Sequence, residues 1–373
     1  MNEENLFKIL KASIYGGELN LSGDCDYESI FSELQSQTVL TLTKPVLNQL
    51  PLSEDLREKW EKAINQQLAV NAKVAFAERK LCALLEAEGI EFAIVKGSAA
   101  AQYYPKPELR TRGDIDVLVL KEKYRDAILT LQRNGYSEKK TIDFEERHIE
   151  LFKNNVECEI HQRFSEINDE LIQNEIKKIK TNTHLFDNSL NGLVLLKHIQ
   201  RHFNIGLGLR QYIDWCMFAT AVCDDEFWNE ELRPLADEFG LTKFAKALTQ
   251  LGINKGLIEK QYSWCSDVSN ELCEELLHYF LYCGNFNRKH SAVNTKALRV
   301  MREASGIKGF KDYLEDLGSS YSKSEDKLSV YSTGVKYLFK HAKSYMNVNS
   351  INAFRQQKLE AERRKKLFKE LGI

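Results

Sequence analysis

No stretch of this chain stays apolar for the roughly 20 residues that crossing a bilayer takes. The first residues, Met1 to Lys8, carry neither the basic start nor the apolar run of a secretory signal. Also missing is any C-x-x-C pair. Eight cysteines are scattered from Cys25 to Cys283, most of them inside apolar stretches, which reads as reduced thiols rather than disulfides or zinc ligands. Together these absences predict a cytoplasmic protein with no membrane partner. Nor is there an excess of charge, since 52 Lys and Arg meet 54 Asp and Glu for a net charge of -2. Global electrostatics therefore gives no reason to expect a nucleic acid or a membrane surface as partner, and any basic site must be local. No internal repeat and no low-complexity linker divides the chain. At 373 residues it exceeds one ordinary domain and falls short of three, so two packed units are expected.

From Glu4 to about Glu88 the apolar residues recur at helical spacing, as in Trp60, Ile64 and Leu68 and then Val74, Ala77, Leu81, Leu84 and Leu85. The period changes at Gly89. There Phe92 to Val95 forms a short apolar run that ends in Lys96-Gly97-Ser98 and passes into a helix-like Ala99 to Tyr104, stopped by Pro105 and Pro107. A second strand, Ile115 to Leu120, leads into a helix with Tyr124, Ala127, Ile128 and Leu131 on one face and Asn134-Gly135 at its end. Ile149 to Lys153 and Val156 to His161 then read as a hairpin around Asn154-Asn155, a pair that tolerates positive φ. In its second strand Val156, Cys158 and Ile160 point one way while Glu157, Glu159 and His161 point the other. Beyond about Asn168 the period is helical, through residues 193–203, 209–222, 232–251 and 272–282. The basic run Arg363 to Lys366, between Leu359 and Leu367, reads as a solvated helical face. The expected fold is α+β: a small mixed β-sheet core at 86–165, an N-terminal helical region at 1–85 and a C-terminal all-helical domain at 166–373.

Chemistry enters at Gly113-Asp114-Ile115-Asp116. Asp residues two apart at the opening of a strand project to one side, with Ile115 and Val117 turned to the core. Adjacent carboxylates repel, and a divalent cation relieves that repulsion; Mg²⁺ takes one or two carboxylates along with phosphate oxygens and water. Standing alone, the pair reads equally well as an N-cap and a solvent-facing edge residue. It does not stand alone, because sixteen positions earlier Gly97-Ser98 sits where a strand meets a helix. Unpaired N–H groups there make an anion site, and glycine lets a phosphate chain come close. Lys96, Arg110 and Arg112 flank the pair and serve either as phosphate ligands or as surface and turn-stabilising residues. His161 and His198 either orient a carboxylate or substrate or are structural. Arg210 and Asp214, at i and i+4, read either as a helix-surface pair or, by the resemblance described next, as residues lining the cleft between the two halves.

The strand-Gly97-Ser98-helix followed by Asp114-Ile115-Asp116 resembles the polymerase β-like nucleotidyltransferase superfamily. The run from Lys96 through Tyr104-Pro105, Arg110 and Arg112 to Asp116, with Glu159-Ile160-His161, His198 and Gly208 to Asp214, resembles its bacterial family of uncharacterised nucleotidyltransferases over about residues 75–290. The resemblance implies metal-dependent transfer of a nucleoside monophosphate from an NTP to a hydroxyl acceptor: a small molecule, a glycan precursor, a protein or an RNA end. It implies Mg²⁺ (or Mn²⁺) on Asp114, Asp116 and a third carboxylate, Glu159 by its Ile-His context, with Glu157 as the alternative. Gly97, Ser98, Lys96, Arg112 and Arg210 would meet the nucleotide. Two other outcomes share the motif: a catalytically silent nucleotide-binding or regulatory protein, and a tRNA-modifying toxin of a toxin–antitoxin pair.

Overall fold

The computed structural model describes residues 3–164, 167–179, 183–203, 206–285 and 348–373. They fall into two compact units, residues 1–286 with 373, and residues 287–372. The first opens with α1 (Glu3–Tyr15) and α2 (Tyr27–Ser36), a 3₁₀ stretch (Leu40–Gln49) and the long α3 (Glu54–Ala87). Ser53 caps α3 by accepting from the Leu56 N–H, with Glu54 and Asp55 in the first turn where the helix dipole favours them. Gly89 ends it at φ +64°, and the Ile90 N–H returns to the Leu85 carbonyl at 3.0 Å in a Schellman arrangement.

Five strands follow: β1 (Phe92–Val95), β2 (Ile115–Val119), β3 (Ser137–Glu138), β4 (His148–Lys153) and β5 (Val156–His161). Their order in the sheet is β1-β2-β5-β4-β3, with β2 and β5 parallel and every other pair antiparallel. Between β1 and β2 lies α4 (Gly97–Ala101), and between β2 and β3 lies α5 (Tyr124–Arg133). Helix α4 stops at Ala101, ahead of both prolines; Pro107 instead opens a 3₁₀ turn, Pro107–Leu109, because its fixed φ suits a first helical position. The hairpin turn is as expected, with Asn154 and Asn155 at φ +52° and +57°.

Strand alternation gives the sheet two unlike faces. Ile115, Val117 and Val119 of β2 join Val156, Cys158 and Ile160 of β5 in one apolar cluster with Leu81 and Leu85 of α3 and Ala127, Ile128 and Leu131 of α5. The opposite face therefore carries Asp116, Glu159 and His161. Register brings them together, since Asp116 lies opposite Glu159 across the parallel pair and His148 opposite His161 across the antiparallel one.

Among the described residues after β5 the regular elements are helical: α6 (Asp169–Lys178), α7 (Asn188–Phe203), α8 (Leu209–Val222), α9 (Asp225–Phe227), α10 (Arg233–Glu238), α11 (Thr242–Asn254) and α12 (Asn270–Cys283). A π-helical turn, Trp228–Leu232, joins α9 to α10. In the second unit, α13 (Val348–Leu371) carries the basic run, but not as a uniformly solvated face. Lys365 and Lys366 are exposed as that reading expects, whereas Arg364 is buried beside Leu367, and Leu359 is 65% exposed. No helix among the described residues is long and apolar enough to cross a membrane.

Candidate active site

The polar face of the sheet floors a cavity of about 310 Å³. Asp116 is the second residue of β2, Glu159 comes from β5, and Asp114 immediately precedes β2. Lys96 and Gly97 reach it from the β1–α4 turn. The same cavity is lined by Arg110, by Arg147 and His148 at the head of β4, by His198, Arg201 and His202 from α7, and by Arg210 from α8. The cavity thus gathers three carboxylates and several cationic side chains.

Around the carboxylates the contacts are close. His161 Nε2 stands 3.0 Å from Asp116 Oδ1 and 3.2 Å from Glu159 Oε2. The Lys96 ammonium donates to Asp116 Oδ1 and lies 3.3 Å from Glu159 Oε2. Burial works against the charge of Glu159, but the hydrogen bond from His161 and the Lys96 charge outweigh it and hold the carboxyl well below its usual pKa. Burial likewise opposes the Lys96 charge, and Asp116 and Glu159 together raise its pKa. Asp114 is exposed on its outer side, yet the protein crowding its carboxylate and the neighbouring Asp116 raise its pKa.

The donor set fits a divalent cation: one oxygen each from Asp116 and Glu159 and Nε2 of His161 lie within 4.8 Å of one another. Asp114 stands outside that trio and lines the same cavity. Glu157, by contrast, is not among the residues lining the cavity; burial and then Glu150 raise its pKa.

The turn that presents Lys96 is strained. Lys96 sits at φ +57°, ψ -119°, outside the regions open to residues with a side chain, at a cost of order 1–3 kcal/mol that the surroundings must offset. The Gly97, Ser98 and Ala99 N–H groups precede the first intrahelical bond of α4, from Ala100 N–H to the Lys96 carbonyl at 2.8 Å. Glycine is favoured at 97, because a Cβ there would fall 2.7 Å from Nη1 of Arg110, which Asp214 and the Thr111 carbonyl hold in place. So the bare α-carbon expected for a phosphate also admits a guanidinium.

Several sequence expectations land elsewhere. Arg112 does not line the cavity; it donates to Ser98 Oγ at 3.1 Å and pairs with Glu78 of α3 at 3.6 Å, tying the turn to that helix. Ser98 is likewise absent from the lining. Asp214 is buried, so it belongs to no surface pair: it takes Arg110 Nε at 3.0 Å, Arg110 Nη2 at 2.6 Å and the Tyr104 hydroxyl at 2.7 Å. Arg147, His148, Arg201 and His202 went unnoticed in the sequence. The spacing of His198, Arg201 and His202 at i, i+3 and i+4 was the available signal, since it sets three polar side chains on one helical face. Asn71 of α3 was missed too; its amide donates to the Glu108 and Arg110 carbonyls and accepts from the Arg112 N–H, fixing the segment that leads to Asp114.

The small mixed sheet with its strand–turn–helix beside paired carboxylates agrees with the nucleotidyltransferase resemblance of the motif. Residues 26–251 match the family described as uncharacterised nucleotidyltransferase, and this chain belongs to that family. The match begins earlier than the motif-bearing stretch, taking in α2, the 3₁₀ stretch and all of α3, and ends before α12. No curated protein and no solved structure matches the chain.

Proposed function

We propose that this protein transfers a nucleoside monophosphate from an NTP to a hydroxyl acceptor, with release of pyrophosphate. The observation that carries the reading is a single cavity of about 310 Å³ lined by Asp114, Asp116 and Glu159 together with Arg147, Arg201 and Arg210. Asp114, Asp116 and Glu159 would hold Mg²⁺ or Mn²⁺, which when bound neutralises charge on the triphosphate and lowers the pKa of an acceptor hydroxyl. The triphosphate would lie along the N–H groups of Gly97 and Ser98, with Arg147, Arg201 and Arg210 of the cavity lining meeting its oxygens. Lys96 serves the same anion once nucleotide is present. Arg112 acts from behind, holding the Ser98 hydroxyl in place. His161 orients both carboxylates through one ring nitrogen.

The test is incubation with Mg²⁺ or Mn²⁺ and each of four NTPs labelled at the α-phosphate, with a cell extract as acceptor and Asp116→Asn as control. Label moved by the wild type alone supports transfer and names the nucleotide. No transfer together with no NTP binding by calorimetry overturns the reading.

A further inference from the structure

Two nitrogen groups converge on one pair of oxygens. Asp116 Oδ1 and Glu159 Oε2 each contact both Lys96 Nζ and His161 Nε2. His161 is fixed on β5, 2% exposed, and belongs to the sheet. Lys96 is different: its ammonium sits at the end of a flexible four-carbon stem on a strained turn next to Gly97-Ser98. The two oxygens that a divalent cation would take are therefore bridged by an ammonium. A dication and an ammonium cannot share those oxygens at such distances without strong repulsion.

We propose that Lys96 is a movable counter-cation that makes metal loading conditional on nucleotide. Without ligand it bridges Asp116 and Glu159 and keeps the buried carboxylates compatible with each other. A triphosphate at the adjoining turn offers it a denser negative charge, and its departure opens the two oxygens to the metal. By linkage, metal and nucleotide then strengthen each other's binding by the same factor. The inference rests on the triphosphate position given under Proposed function.

The experiment titrates Mn²⁺ into the whole protein and follows the free-ion signal by electron paramagnetic resonance, with and without α,β-methylene ATP. Wild type, Lys96→Met and Arg201→Met are compared; Arg201→Met removes another cation of the same cavity lining, from α7. Lys96→Met should raise nucleotide-free Mn²⁺ affinity at least about tenfold, well beyond Arg201→Met, and should respond less to the nucleotide analogue than wild type does. Should Lys96→Met fail to fold, Lys96→Gln removes the same charge and keeps a hydrogen-bonding end. Affinity in the Lys96 variant equal to that of wild type or of Arg201→Met overturns the counter-cation role, and so does an equal nucleotide response in both. Wild type that binds neither Mn²⁺ nor the analogue sinks the functional reading itself, a result distinct from the previous two.

Discussion

Asp214 on α8 accepts both Nε and Nη2 of Arg110, at 3.0 and 2.6 Å, across 104 residues of chain. The Tyr104 hydroxyl occupies one of the same oxygens at 2.7 Å. This bidentate pair fastens the segment between α4 and β2, which delivers Asp114, to the helical part of the unit. Burial opposes the Arg110 charge, and Asp214 more than restores it, raising the guanidinium pKa.

Asp214→Asn should lower unfolding free energy by about 3–5 kcal/mol, because it leaves a buried guanidinium without its counter-charge. The double variant Arg110→Met/Asp214→Leu should lose less than the two single variants added together. Urea midpoints at unchanged slope measure both; simple additivity would contradict the pair.

Gly97→Ala should cost roughly 1–3 kcal/mol. The new Cβ would lie 2.7 Å from Arg110 Nη1, and that guanidinium has little freedom to retreat, being held by Asp214 and by the Thr111 carbonyl at 2.9 Å. In an Asp214→Asn background the added cost of Gly97→Ala should shrink as Arg110 gains room, and a thermodynamic cycle reads the difference.

The two aspartates should separate. Asp114→Asn should leave stability unchanged or slightly higher, since the exposed Asp114 carboxylate is repelled by Asp116. Asp116→Asn should destabilise by roughly 1–3 kcal/mol, because Asp116 is 4% exposed and partners both Lys96 and His161. The sequence treats both as removable repelling charges; the contacts make only Asp114 so. Thermal unfolding of the metal-free proteins distinguishes them.

On the proposed function, Glu159→Gln should reduce nucleotidyl transfer by roughly two orders of magnitude or more, since it removes a charge from the Asp116–Glu159–His161 group that could hold a metal ion. Glu157→Gln, away from the cavity, should stay close to wild type. Equal loss in both variants of the labelled-NTP assay would reverse this assignment.

Stability should fall as pH drops from about 6.5 towards 4. Burial, then the Arg201 charge, lowers the His202 pKa to about 4, and burial with His202 pushes His198 well below its ordinary value. Unfolded imidazoles take up protons near pH 6.5 while the folded ones do not, so in this window the unfolded state binds more protons and gains at low pH. Urea midpoints across the window should decline less steeply for His198→Gln/His202→Gln; identical slopes would remove these rings from the account.

What the sequence determined by itself was whatever depends on local period and local chemistry. The alternation that turns Cys158 and Ile160 inward and Glu159 and His161 outward is written in residue order, as is the strand–Gly97–Ser98–helix junction that opens the motif. Sequence order likewise placed Asp114 and Asp116 beside that junction. What only the tertiary structure decided was which distant side chains meet. Nothing local says that Asp214 faces Arg110, that Arg112 turns back to Ser98 and Glu78, or that the face of α7 bearing His198, Arg201 and His202 closes the cavity. Those pairings follow from strand register and helix packing, in which contacts far apart in sequence form together. Lys96 shows the division most sharply: its place before Gly97 is local, while the ammonium's seat between Asp116 and Glu159 exists only because β2 and β5 pair in parallel.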